Sequence, residues 1–94
     1  MSSIDDYLGR VQATVWSAAG WVSAEGIQRV QHLVDHGEPA EGMCSLAWII
    51  VNEKAMVPTP LISAIRAYSE ELVATEYMPP NLDDFGIDED LACD

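Results

Sequence analysis

Basic residues are scarce in this chain. Arg10, Arg29, Lys54 and Arg66 stand against 16 acids, giving a formal net charge of −12 over 94 residues. That balance argues against direct binding to nucleic acid, whose recognition begins by neutralising phosphates with Lys and Arg. It argues against anionic membrane surfaces for the same reason. Cysteine is scarce too: Cys44 sits within an apolar helical pattern and Cys93 next to the last residue. Two thiols so placed do not make a disulfide framework, and reduced cysteines are expected. The longest apolar run, Leu46 to Val51, is too short to span a bilayer. Asp5 and Asp6 occupy the place where a secretory signal would carry basic residues, so a cytoplasmic location is expected. Glycine-rich phosphate loops and glycine-flanked nucleophilic serines are missing as well.

What is present suffices for one folded domain. Apolar residues make up 49% of the chain, and Trp16, Trp21 and Trp48 bring large buriable area. A chain of this size buries roughly 60–65% of its unfolded surface, enough for a modest core without metal or disulfide support. The concentration of negative charge opposes compaction, so solubility alone does not call for it. It would speed and orient encounter with a cationic protein.

Helical spacing dominates. Ile4, Tyr7, Leu8, Val11, Val15 and Ala18 form one stripe, predicting a first helix from Ile4 to Ala19 that Gly20 ends. Ser23 is placed to cap a second helix whose inner face is Ile27, Val30, Leu33 and Val34. Gly26 is a weak point in it, worth about 1 kcal/mol against helix relative to alanine. Gly37 can adopt the left-handed angle that closes a helix, and Pro39 suits the first turn of the next. The third helix then runs to Asn52 or Lys54, apolar nearly all round, as a central helix would be. Lys54 to Pro58 reads as a connector. Thr59-Pro60 repeats the cap-plus-proline device and opens a fourth helix reaching Tyr77, with Arg66 and Glu70 paired on its surface. Pro79-Pro80 stops it. The fold class expected is all-α, a small antiparallel bundle of about four helices over residues 1–80, with an acidic and mobile tail over 81–94.

Catalytic chemistry finds little support. His32 and His36 share a helix face, but no third ligand accompanies them, so no metal or other cofactor is expected. Cys44 lies beside Met43 and Leu46, the setting of a structural thiol, with Glu38 and Glu41 opposing ionisation. Glu70-Glu71 and Asp83-Asp84 are sequence neighbours and point apart on a helix. The protein is not expected to be an enzyme. The segment from Asn81 onward mixes acids with Leu82, Phe85, Ile87 and Leu91 and has no base. Such a segment can become ordered on a basic, apolar-lined groove. Alternatively, Leu82 and Phe85 fold back to seal the bundle.

The run Leu33-Val34-Asp35-His36-Gly37-Glu38-Pro39 leads into Met43-Cys44-Ser45-Leu46-Ala47-Trp48 and is followed by Val57-Pro58-Thr59-Pro60-Leu61-Ile62-Ser63-Ala64-Ile65. Over residues 27–85 this resembles the MafI-type immunity proteins, small helical bacterial proteins with many short actinobacterial relatives. The resemblance implies an antitoxin that blocks a cognate toxin, often a nuclease. Its matching residues, Gly37, Glu38, Pro39, Leu46 and Ala47, are explicable as corner and core, and no toxin-recognising residue carries over. The expected binding surface is therefore read from charge: Glu38 and Glu41 at the corner, with Asp83, Asp84, Asp88, Glu89 and Asp90 around an apolar anchor at Phe85. The alternative is a small structural or regulatory protein that dimerises through its tryptophans.

Overall fold

Each of the four helices that the apolar spacing called for is present, the fourth described as far as Ser69. The structure, a computed structural model, describes residues 3–69 and 77–87, with side chains from residue 6 onward. Among these residues, α1 is Ser3–Ala18, α2 is Ala24–Asp35, α3 is Pro39–Glu53 and α4 is Thr59–Ser69. The protein is all-α, a small helical bundle to which, among the described residues, one two-stranded ladder is added. No described helix is long and apolar enough to cross a membrane.

Ser23 caps α2 as its chemistry requires, its Oγ accepting the Gly26 N–H at 3.0 Å. At the other end Gly37, at φ +81°, lets the Glu38 N–H reach the Leu33 carbonyl at 2.9 Å and its own N–H reach that of Val34 at 3.2 Å. This is the Schellman pattern, which satisfies carbonyls that would otherwise end the helix unpaired. The same two bonds close α3, from Ala55 to Ile50 and from Lys54 to Val51. There the left-handed residue is Lys54, at φ 54°.

α3 is the central element, packed on α2, α4 and the segment that follows them. Its residues Ala40, Met43, Leu46, Ala47, Ile49 and Ile50 are buried, and Ile49-Ile50-Val51 is helical despite its strand-like composition. Met43, Leu46, Ala47, Ile49 and Ile50 meet Val11, Val15 and Ala18 of α1, Val30 of α2 and Leu61, Ile62 and Ile65 of α4 in one core. Gly26 and Gly42 set the closeness of the α2–α3 crossing. A Cβ on Gly26 would lie 2.9 Å from Ile49 Cγ2, and one on Gly42 3.2 Å from Val34 Cγ2. The glycine that weakens α2 locally is thus what admits its neighbour.

The tryptophans contribute less to the core than their size suggests. Trp16, Trp21 and Trp48 retain 71%, 43% and 40% of their exposure. On α1 the buried stripe runs through Val11, Val15 and Ala18, and Trp16 is rotated about 100° from Val15, out of the stripe.

Two features of the second half differ from the sequence expectation. Val57-Pro58 is not merely a connector: it is strand β1, paired in parallel with β2, Gly86-Ile87. The Thr59 hydroxyl, expected to cap α4, donates to the Ile87 carbonyl at 3.0 Å and helps fasten the ladder. Between Tyr77 and β2, a 3-10 turn over Leu82–Phe85 lies on α3 and α4 with Leu82 fully buried. Of the acidic segment from Asn81 onward, residues 81–87 are therefore built onto the bundle by apolar burial. Asp88, Glu89, Asp90 and the rest, to Asp94, lie outside the described residues, as do Glu70 to Glu76. Buried polar side chains are satisfied among the described residues. Thr14 donates to the Arg10 carbonyl at 2.8 Å and Ser69 to that of Ile65 at 2.8 Å.

Candidate protein-binding surface

The corner between α2 and α3 presents its acids outward. Gly37 turns the chain, and Glu38 occupies the N-cap position of α3 without making a side-chain capping bond. Glu38 and Glu41 are both exposed. Their charge lies at the positive end of the α3 dipole, which favours it. One-turn steps along α3 from Glu41 pass Cys44 and reach Trp48, so the three share a face. Tyr77 closes on that face: its carbonyl accepts the Trp48 Nε1–H at 2.7 Å and the Cys44 Sγ–H at 3.5 Å. Trp48 keeps two-fifths of its surface and Tyr77 64%. The half-exposed Trp48 ring, pinned by its hydrogen bond to the Tyr77 backbone, thus sits two helical turns from Glu41.

The thiol in this patch is not poised as a nucleophile. Burial pushes the Cys44 thiol up, and the Glu41 charge pushes it further. At neutral pH it remains a neutral donor to the Tyr77 carbonyl. That is the electrostatic opposition expected from the neighbouring glutamates. The side chain is half-buried against the core rather than within it.

Asp83 and Asp84 form a second acidic feature, in the 3-10 turn and exposed. Asp83 Oδ1 lies 3.1 Å from Arg66 Nη2, so part of its charge is matched. Arg66 is thereby engaged with Asp83; Glu70, its expected partner, lies outside the described residues. Phe85 is half-buried and packed on the core, so it fastens the turn rather than standing free as an anchor. The two acidic features also sit on different elements: Glu38 and Glu41 at the start of α3, and Asp83 and Asp84 in a turn tied through Asp83 to Arg66 of α4. The structure brings Asp83, Asp84 and Phe85 together, and Glu38 and Glu41 together, but not the two sets with each other.

Elsewhere the polar groups serve the fold. His32 and His36 stack with ring centroids 4.0 Å apart, and His36 Nδ1 lies 2.8 Å from the His32 carbonyl, to which it donates. No three His, Cys, Asp or Glu side chains converge among the described residues. Glu53, at the end of α3, accepts from the Ser23 N–H at 2.9 Å and from its hydroxyl, clamping the cap of α2. These bonds hold its carboxyl below the usual carboxylate range. Tyr7 donates to the Tyr68 carbonyl at 2.6 Å and ties α1 to α4, and burial raises its hydroxyl.

Sequence reasoning singled out Glu38 and Glu41 by charge and Trp48 as a dimer contact, but not Tyr77. The spacing Glu41–Cys44–Trp48 was legible as one helix face. The Tyr77 contact was not, because it joins residues 29 apart across the fold. Comparison with protein-family models, with curated proteins and with solved structures finds no match to this chain.

Proposed function

We propose that this protein is a non-catalytic binding module for a basic protein partner, acting as an immunity protein that neutralises a cognate toxin such as a nuclease. The observation that carries the reading is the surface of α3 that leads from exposed Glu38 and Glu41 at its start to half-exposed Trp48 two turns on, with Tyr77 bonded against it. Tryptophan and tyrosine are the residues that most often supply the buried centre of an interface. Acids at the rim add steering and specificity toward a cationic partner, over a chain whose net charge is −12. The Trp48 ring is held by its hydrogen bond to the Tyr77 carbonyl, so little of its freedom is lost on binding. Asp83 and Asp84 extend the acidic field at a distance without sharing the same contact.

The test is affinity capture on the immobilised full chain, followed by co-expression with the captured protein. Retention of a basic protein whose toxicity this chain relieves is the expected result. Its affinity should fall with added salt, fall further for Glu38→Gln/Glu41→Gln, and drop by about tenfold or more for Trp48→Ala. Undiminished binding by both variants, or capture of no basic protein, would reject the reading. Exposure of Trp16, Trp21 and Trp48 favours a second reading, a structural or regulatory homodimer. Sedimentation at micromolar concentration separates the two, since a stable dimer that buries the tryptophans belongs to the second alone.

A further inference from the structure

Between α1 and α4 lies an open groove of about 430 Å³, on a different part of the molecule from the α3 face. Its volume falls in the range of small-molecule sites. α1 and α4 run antiparallel along it, with Tyr7 bonded to the Tyr68 carbonyl near one end. Arg10 and Tyr68 line that end, and Trp21, Pro58 and Leu61 line the other. The levels of Leu61 and Tyr68 are roughly 10 Å apart by helical rise. Its charge lies at one end. Thr14, midway, spends its hydroxyl proton on the Arg10 carbonyl, while among the described lining residues Arg10 carries the one charge, and that charge is positive. In a chain so poor in cations, a guanidinium at one end of an apolar groove selects for an anion with an apolar body.

We infer that this groove binds a small apolar carboxylate, its acid group on the Arg10 guanidinium and its hydrocarbon or aryl body along Leu61, Pro58 and Trp21. Guanidinium pairs with carboxylate through charge-assisted hydrogen bonds, often in a two-point fork. The prolines and Trp21 present rigid apolar walls that lose little freedom on contact.

Octanoate and neutral 1-octanol, titrated into the full chain, provide the test, read from the Trp21 indole resonance in a two-dimensional amide spectrum. Octanoate should shift that resonance saturably and bind about tenfold or more tighter than 1-octanol, the factor expected of a charge-assisted pair. Arg10→Gln should erase the preference while leaving 1-octanol binding within about twofold. Ala13→Phe, at an exposed helical position lining the groove, should block both ligands with unchanged circular dichroism. Equal affinity for the two ligands, or a preference that survives Arg10→Gln, overturns the inference. So does the absence of a saturable shift, or a Trp21 resonance that moves with protein concentration alone, which would make a second copy the occupant. The ligand-binding outcomes leave the partner-binding face of α3 untouched, whereas a concentration-dependent Trp21 resonance would favour the homodimer.

Discussion

Alanine in place of glycine should have opposite effects at two helical positions of this chain, and the difference isolates the α2–α3 crossing. At Gly9, in α1, an added Cβ meets no heavy atom within 4 Å. Helix propensity and the smaller entropy of the unfolded chain then act alone, and Gly9→Ala should stabilise by about 0.5–1 kcal/mol. At Gly26 the same gain is available, but the new methyl lies 2.9 Å from Ile49 Cγ2 and 3.2 Å from the capping Ser23 Oγ. Overpacking in a formed core costs about 1–3 kcal/mol, and a disturbed cap about 1 kcal/mol more. The net should be a loss of about 1–3 kcal/mol. Thermal and urea unfolding would measure both; in a domain of this size each kcal/mol moves Tm by roughly 4–8 °C. Ile49→Leu removes the branched methyl at the point of collision, so it should recover about 1 kcal/mol of the Gly26→Ala loss in a double-mutant cycle. If Gly26→Ala stabilises as much as Gly9→Ala, the close approach of α2 and α3 is not what that glycine serves.

Glu53→Gln tests the clamp on the α2 cap: a carboxyl held low in the folded state stabilises fully above its ordinary value of 4.5, and that contribution is lost as pH falls through the folded value. The stability difference between wild type and variant should thus be constant near neutrality and shrink in acid, and a pH-independent difference in urea unfolding would contradict the assignment. Lys54→Gly relieves a non-glycine residue at φ 54° and should raise stability by about 0.5–1 kcal/mol, checked by urea midpoint. Leu82→Ala should cost about 2–5 kcal/mol by the same measurement, because the side chain is fully buried between α3 and α4. A cost below about 0.5 kcal/mol would mean that the 3-10 turn is ornamental to the bundle.

The corner and the helices were legible in the sequence because their causes are local. Gly37 followed by Pro39 can be read without tertiary information, since one supplies a left-handed angle and the other a preset first turn. The stripes Val11–Val15–Ala18 and Leu61–Ile62–Ile65 point inward because helical spacing leaves them one side to occupy. Electrostatic reasoning located the acids at Glu38 and Glu41 for the same reason.

Tertiary structure decided the rest. Whether Leu82 and Phe85 dock on a partner or on their own bundle depends on whether α3 and α4 leave a matching recess, which no local pattern records. Val57-Pro58 became a strand only because Gly86-Ile87 arrived beside it, and Tyr77 met Trp48 only because the chain returned across α3. Composition and helical spacing together determined that this chain would be a strongly acidic helical domain. Packing determined which aromatic rings stay at its surface, because burial is settled by the space between helices and not by the hydrophobicity of any one residue.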